Sequence, residues 1–193
     1  MKKRVGVLAL QGDFEAHEKA LVRAGAEVRQ VRTAEDMAAI DGLVIPGGES
    51  TTMLKLLSFM DLKEPLRAFA KEKPVFGTCA GAILLAKDVQ NPAQESLGAV
   101  DMTVERNAYG RQIDSRVVQL TPEADFQERT GAGKLEAVFI RAPIIRRTGP
   151  GVKVLAEYHG NPVLVEQGRH LIATFHPELT PDSRVHQLFL SKI

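Results

Sequence analysis

The sequence predicts an α/β fold in three layers: residues 1–193 as a single domain with a mostly parallel central sheet, helices on both faces, and antiparallel strands added in the C-terminal half. Three observations predict it. Up to Lys87, apolar β-branched runs alternate with segments of helical period. From Asp101 onward, short strand-like runs are separated by Gly, Pro and Asn turn signals. The unusual glycine-bearing segments follow directly on strands, at the carboxyl ends where such sheets bind ligands.

Taken in order, strands are expected at Arg4 to Leu10, Val28 to Arg32, Gly42 to Pro46 and Pro74 to Gly77. Each is a near-continuous apolar run, as a strand covered on both faces requires. The intervening helices are Asp13 to Ala24, Glu35 to Ile40, Ser50 to Phe59 and Leu62 to Lys71, and a further helix is expected over about Ala80 to Lys87. The second half supplies strand-like runs at Asp101 to Arg106, Arg116 to Leu120, Leu135 to Ile140, Lys153 to Tyr158, Pro162 to Glu166 and His170 to Phe175. A last helix starts after Pro181-Asp182, with Asp182 or Ser183 as its cap, and runs to the C-terminus.

Composition narrows the function. Lys plus Arg total 25 against 24 Asp plus Glu, and the basic residues are scattered, so the field that draws in nucleic acid or an anionic membrane is missing. No stretch approaches the ~20 apolar residues of a membrane span. Val5 to Leu10 is too short for a secretory segment, and the cytoplasm is the expected compartment. The single cysteine, Cys79, cannot form an internal disulfide, which leaves buried filler, a free surface thiol or a nucleophile.

Its neighbours favour the nucleophile. Gly77-Thr78-Cys79-Ala80-Gly81 sets the cysteine between a strand and a helix with glycine two residues away on each side, the spacing of a nucleophile elbow. The positive end of the following helix favours thiolate, and the Ala80 amide can face a developing oxyanion. A nucleophile of this kind needs an oriented base, and His176-Pro177-Glu178 follows the last strand-like run. If that segment is extended, residues two apart project to one side, so His176 and Glu178 meet and form a triad with Cys79. Pro46-Gly47-Gly48-Glu49-Ser50 supplies backbone that can approach a ligand closely, amides for the other side of an oxyanion hole, and Ser50 or Thr51 as helix cap. Read alone, it is equally a tight turn with a capped helix.

Other segments carry less. Gly131-Ala132-Gly133-Lys134 resembles the end of a phosphate loop, but Glu128 and Leu135 occupy the positions that need Gly and Ser or Thr. His17, His159, His170 and His186 show no metal-ligand spacing and are expected to be surface or core residues. Arg146-Arg147 is expected in a solvated loop.

Together these segments resemble the class I, triad-type glutamine amidotransferases. Leu10-Gln11-Gly12, Pro46 to Met53 (PGGESTTM), Phe76 to Gly81 (FGTCAG), Val104 to Gln112 (VERNAYGRQ), Phe139 to Pro143 (FIRAP) and Phe175 to Thr180 (FHPELT) carry the resemblance. The PGGESTTM, RNAYGRQ and FIRAP segments point to the vitamin B6 subfamily, glutaminase subunits of pyridoxal 5′-phosphate synthases. The resemblance implies that Cys79 attacks the glutamine side-chain amide, that His176 carries the proton to the leaving ammonia, and that Glu178 orients His176. It implies Gly47, Gly48 and Glu49 along the glutamine pocket, the Gly48 and Ala80 amides at the oxyanion, and Arg106 with Ile140 and Arg141 completing the site. Gln11 would lie near the oxyanion loop and the partner interface. The ammonia would pass to a separate (β/α)8-barrel synthase subunit that makes pyridoxal phosphate from ribose 5-phosphate and glyceraldehyde 3-phosphate, with no cofactor on this chain.

Three alternatives stand beside this: a triad glutaminase serving another acceptor pathway, a noncatalytic thiol-sensor or binding module on the same fold, and a cysteine peptidase. Arginine and glycine loops suit a small amino acid better than an extended chain, which disfavours the peptidase.

Overall fold

The computed structural model describes residues 2–108 and 115–193, so the part of the VERNAYGRQ segment from Tyr109 to Gln112 lies outside the described residues. The first half runs β1 (Arg4–Leu8), α1 (Phe14–Arg23), β2 (Glu27–Val31), α2 (Ala34–Ala38), β3 (Gly42–Ile45), α3 (Ser50–Phe59), α4 (Lys63–Glu72), β4 (Val75–Thr78) and α5 (Ala80–Leu85). The second half runs β5 (Ala86–Gln90), β6 (Val100–Glu105), β7 (Ser115–Leu120), α6 (Ala124–Thr130), β8 (Leu135–Ile140), β9 (Ile144–Thr148), β10 (Lys153–Tyr158), β11 (Asn161–Gln167), β12 (His170–Ala173) and α7 (Arg184–Leu190).

Seven strands form the central sheet in the order β10-β11-β12-β4-β3-β1-β2. β2, β1, β3, β4 and β12 run parallel, and β11 and β10 extend the sheet antiparallel. The apolar runs are continuous because both faces are covered. Along β3, Leu43 and Ile45 join one core with α3, α4 and α5, while Val44 joins the other with α1 and α7. Along β12, Ile172 faces the first core, and Leu171 and Ala173 face the second. This alternation makes three layers of the chain.

The remaining strands form two small sheets, β5-β6-β9 and β7-β8. Several boundaries differ from the sequence expectation. α5 ends at Leu85 rather than Lys87, because Ala86 turns extended and pairs with Val100 in β6. Arg146 and Arg147 lie on β9, not in a loop, where Arg147 pairs with Thr103 and its guanidinium meets Asp101 at 2.7 Å. α6 falls within the segment 121–134, anchored by the one buried side chain of Phe126. That is too little apolar periodicity to announce a helix. The Gly131, Gly133 and Lys134 carbonyls turn toward the Arg184 guanidinium, so this segment presents acceptors to a cation rather than amides to a phosphate. Ser183 sits at the cap position of α7 without a capping side-chain bond, and Asp182 instead accepts from the Arg184 amide at 3.0 Å. Among the described residues, no helix is long and apolar enough to cross a membrane.

Candidate active site

Four parallel strands deliver the site from their carboxyl ends. β1 leads into Gln11-Gly12, β3 into Gly47-Gly48, β4 into Cys79, and β12 into His176. Cys79 stands between β4 and α5 at φ 49° and ψ −105°. A non-glycine residue held there costs about 1–3 kcal/mol and persists only where its surroundings enforce it. Two glycines make that possible. A Cβ on Gly81 would lie 2.1 Å from the Ile45 carbonyl oxygen, and one on Gly77 would lie 2.6 Å from that of Gly81. α5 therefore packs directly against the ends of β3 and β4, and the chain reverses in the single residue Cys79. Ala80 opens α5, so its amide is among the first-turn donors that have no intrahelical acceptor.

The base arrives from the neighbouring strand. Ala173 on β12 pairs with Thr78 on β4, and the Cys79 amide donates to the Ala173 carbonyl at 3.0 Å. Three residues further on, the His176 amide donates to Val138 O of β8 at 2.8 Å, which fixes the backbone of the base from the other side. His176 Nδ1 and Glu178 Oε1 are 2.6 Å apart, both side chains being buried. The pair meets, but not in an extended segment: Pro177–Leu179 form a 3₁₀ turn with Pro177 in its first positions. Proline favours that turn because its φ is preset and its missing N–H would have been unpaired there. With Nδ1 engaged by Glu178, Nε2 remains for the thiol. Gly47 lies against both groups, since a Cβ there would be 2.6 Å from His176 Cε1 and 3.2 Å from Cys79 Cβ.

The two glycine loops interlock. A Cβ on Gly12 would fall 1.9 Å from the Gly47 carbonyl oxygen, and one on Gly48, whose φ is 139°, would fall 2.3 Å from Gln11 Nε2. Gln11 Oε1 accepts from the Glu49 amide at 3.1 Å, so Gln11 directly braces the Gly47-Gly48 loop. Glu49, rather than Ser50 or Thr51, caps α3 by accepting from the Thr51 and Thr52 amides at 3.1 and 2.7 Å. Ser50 is the first residue of the helix and donates to Gln94 Oε1 at 3.1 Å.

A cleft of about 150 Å³ opens on one side of Cys79, lined by Gly48, Glu49, Ala80, Arg106, Ile140 and Arg141 among others. The cleft lies below the volume of a drug-sized ligand site and suits a small molecule or a single side chain. Arg106 Nη2 donates to Thr51 Oγ1 at 2.9 Å and lies 3.6 Å from Glu49 Oε1, which holds the guanidinium at the wall. A second cleft of about 320 Å³ opens on the other side, where His176, Leu179 and Asp13 join Gly47, Gly48 and Cys79. Every sequence-predicted site residue is therefore placed at these two clefts or, for Gln11 and Glu178, directly behind them. Asn107 also lines the smaller cleft and went unremarked, although it lies within the quoted RNAYG run. A larger depression of about 810 Å³ is lined by Lys2, Lys3, Arg4, Asp41 and Pro74 at the opposite, amino ends of the strands, away from any nucleophile.

The electrostatics follow from burial and partners. Burial opposes charge on His176, but hydrogen bonding to Cys79 and Glu178 outweighs it and raises its pKa to about 10. Burial likewise disfavours charge on Glu49, yet the amides and hydroxyls of Thr52 and Thr51 dominate and lower it to about 2. His17 and His186, expected at the surface or satisfied in the core, are fully buried behind the triad, with His17 Nδ1 and His186 Nε2 3.1 Å apart. Burial, then His186 and His176, push the His17 pKa well down. Burial, then Arg23, lowers that of His186 to about 4. Among the described residues no group of three or more His, Cys, Asp or Glu converges as a metal site.

A pH dependence of stability follows. Below pH ~6.5 the unfolded chain protonates histidines that the fold keeps neutral, so stability falls as pH drops from ~6.5 toward 4, by up to ~1.4 kcal/mol per unit for each. His176 acts oppositely: its contribution is complete below ~6.5 and is lost as pH rises toward 10. Urea unfolding between pH 6.5 and 5 should show the acid slope, and His186→Phe should flatten it by about 1 kcal/mol per unit.

Comparison with known proteins agrees with this geometry. The family model described as the SNO glutamine amidotransferase family matches residues 7–193. A protein of Solibacter usitatus named pyridoxal 5′-phosphate synthase subunit PdxT is 66% identical over 99% of this chain and 100% of its own. One of Thermosipho africanus with the same name is 49% identical over 98% of each chain. A crystal structure described as a glutamine amidotransferase superposes with a TM-score of 0.87 at 48% identity, covering 97% of both chains. PurLQS from Thermotoga maritima, at 17% identity and a TM-score of 0.74 over 99% of both chains, shares the fold.

Proposed function

The chain belongs to the SNO glutamine amidotransferase family, and from that premise we propose that it hydrolyses L-glutamine through a thioester on Cys79 and passes the ammonia to a barrel-fold pyridoxal 5′-phosphate synthase subunit. The observation that carries the reading is the convergence of the strained Cys79 at the end of β4 with the His176–Glu178 pair, 2.6 Å apart, at the end of β12. Relatives named as subunits of that synthase supply the partner.

In this mechanism His176, its pKa raised against burial by Cys79 and Glu178, already holds the thiol proton on Nε2, and the Cys79 thiolate attacks the side-chain amide carbon of glutamine. The Gly48 and Ala80 amides face the oxyanion of the tetrahedral intermediate. His176 then returns the proton to the amide nitrogen as the C–N bond breaks, releasing ammonia and leaving a γ-glutamyl thioester. A water molecule, deprotonated by His176, attacks the thioester; its collapse releases glutamate and restores the Cys79 thiolate beside protonated His176. Glu178 balances the imidazolium. Arg106 and Arg141 suit the substrate's α-carboxylate, with Gly47, Gly48, Glu49 and Ile140 shaping the pocket around the rest. A chain with one cysteine and no internal disulfide fits a reducing compartment such as the cytoplasm.

A free-running glutaminase would waste glutamine, and the Gln11 contact to the Gly47-Gly48 loop offers the control point. If a peptide of that loop must turn an N–H toward the substrate, and the partner's contact near Gln11 favours the turned state, docking completes the oxyanion hole by population shift. A missing oxyanion donor costs roughly 10²–10³ in rate. By linkage, glutamine should tighten the complex. Calorimetry of Cys79→Ala with the synthase subunit, with and without glutamine, should show the tighter binding. Unchanged affinity together with full activity of the isolated chain would refute the coupling and leave the triad untouched.

A further inference from the structure

We propose that His17 is a positioning residue of the triad, an inference that rests on the glutaminase reading: its Nε2 stands against the second carboxylate oxygen of Glu178 and keeps the first on His176. His17 Nε2 lies 3.3 Å from Glu178 Oε2, with both side chains fully buried. Oε2 has no hydrogen-bond partner among the described residues, so the approach of His17 Nε2 is the polar contact that faces it, and a buried carboxylate oxygen left bare is costly. The same Nε2 is hydrogen-bonded to Thr78 Oγ1 at 3.0 Å, which fixes the imidazole beside the carboxylate. Thr78 immediately precedes Cys79, and the network thus ties together the chain segments that carry nucleophile and base.

The tautomers can be assigned from the pattern of partners. His17 Nδ1 is 3.1 Å from His186 Nε2, while His186 Nδ1 has no partner. If His186 carries its proton on Nε2, it donates to His17 Nδ1, His17 donates from Nε2, and His186 Nδ1 is left as a bare acceptor. In the reverse arrangement His186 Nδ1–H becomes a buried donor without acceptor, and a bare lone pair of His17 faces the Glu178 carboxylate. Buried orphan donors are rarer than orphan acceptors, and two opposed lone pairs repel, so the first arrangement holds. Both histidines stay neutral because burial weighs first against their charged forms.

Around His17 the packed elements contribute Thr78 and Phe76 from β4, His186 from α7, and His176 and Glu178 beside the 3₁₀ turn. Arg23, on α1 itself, acts on His186 and donates to Thr180 O at 3.2 Å. Without the His17 donor the carboxylate is free to rotate away from His176. The defect should then appear in the chemical step rather than in glutamine binding, since His17 lines neither cleft.

The test uses the complex with the synthase subunit. His17→Phe keeps the ring contacts and removes both nitrogens, whereas His17→Gln keeps an N–H at the tip. We expect kcat for ammonia release to fall about 10- to 100-fold in His17→Phe with KM for glutamine unchanged, and most of the loss to be recovered in His17→Gln. Nitrogen NMR of the wild-type protein should show His17 neutral and protonated on Nε2. A folded His17→Phe with wild-type kcat, a Gln variant no better than Phe, or an Nδ1–H tautomer overturns the proposal. If neither variant folds, the tautomer decides. A wild-type complex that releases no ammonia from glutamine sinks the glutaminase reading instead, a result distinct from an active complex indifferent to His17.

Discussion

Cys79→Ala should abolish ammonia release by the complex, with a loss on the order of 10⁴–10⁶ in kcat, while the protein stays folded. The two halves of this expectation have separate causes. Activity goes because no other thiol exists in the chain to form the acyl intermediate. The fold stays because only Sγ is removed; its contacts are the Ile140 carbonyl at 4.0 Å and His176, and loss of the latter lowers the His176 pKa without unpacking the core. Alanine retains the Cβ and hence the same strain at φ 49°. A glutamine-mimicking electrophile should add one label to the wild type, at Cys79, and none to Cys79→Ala, as read by mass spectrometry. Near-wild-type turnover by the alanine variant would remove Cys79 from the mechanism.

His176→Asn should be nearly as severe, losing roughly 10³–10⁵ in kcat, because taking the thiol proton and protonating the leaving nitrogen both depend on the imidazole. Glu178→Gln should be milder. The amide retains a polar atom opposite His176 Nδ1, now 2.6 Å from Glu178 Oε1, but loses the charge that balances imidazolium in the buried pair. Single-turnover kinetics should order the variants wild type, Glu178→Gln, His176→Asn. An inverted order would mean that the carboxylate, not the imidazole, handles the proton. Urea unfolding of each variant guards against a trivial cause, since removing one partner of a buried charged pair can cost ~3–5 kcal/mol.

Much of this site was legible in the chain because its chemistry is local. The elbow is a five-residue pattern, and its glycines are required by contacts to Ile45 and Gly81 that any strand-to-helix reversal of this type would make. Helix α3 was legible to the residue, since Pro46-Gly47-Gly48 ends one element and an apolar run begins the next. The cap was misjudged. Glu49 rather than Ser50 holds the first turn, because its longer side chain reaches both the Thr51 and Thr52 amides while Ser50 is drawn toward Gln94, far along the chain. β5 was hidden for a similar reason. Ala86 and Lys87 have no strand preference of their own, and they become extended by pairing with β6, a partner that periodicity over a short window does not register.

By itself, the sequence determined the layered α/β class, the positions of the parallel strands up to β4, the strand-to-helix elbow at Cys79, and the pairing of a histidine with a glutamate two residues on. These depend on short-range patterns, where period and turn chemistry act within one element. Only the tertiary structure decided that β12 inserts beside β4, so that the base emerges parallel to the nucleophile and one strand away. It also decided that the His176–Glu178 contact is made by a 3₁₀ turn, and that His17 on α1 and His186 on α7 meet behind Glu178. The physical reason is the same in each case. A polar side chain's partner within the core is selected by the packing of elements distant in sequence, and its own neighbours along the chain carry no trace of that choice.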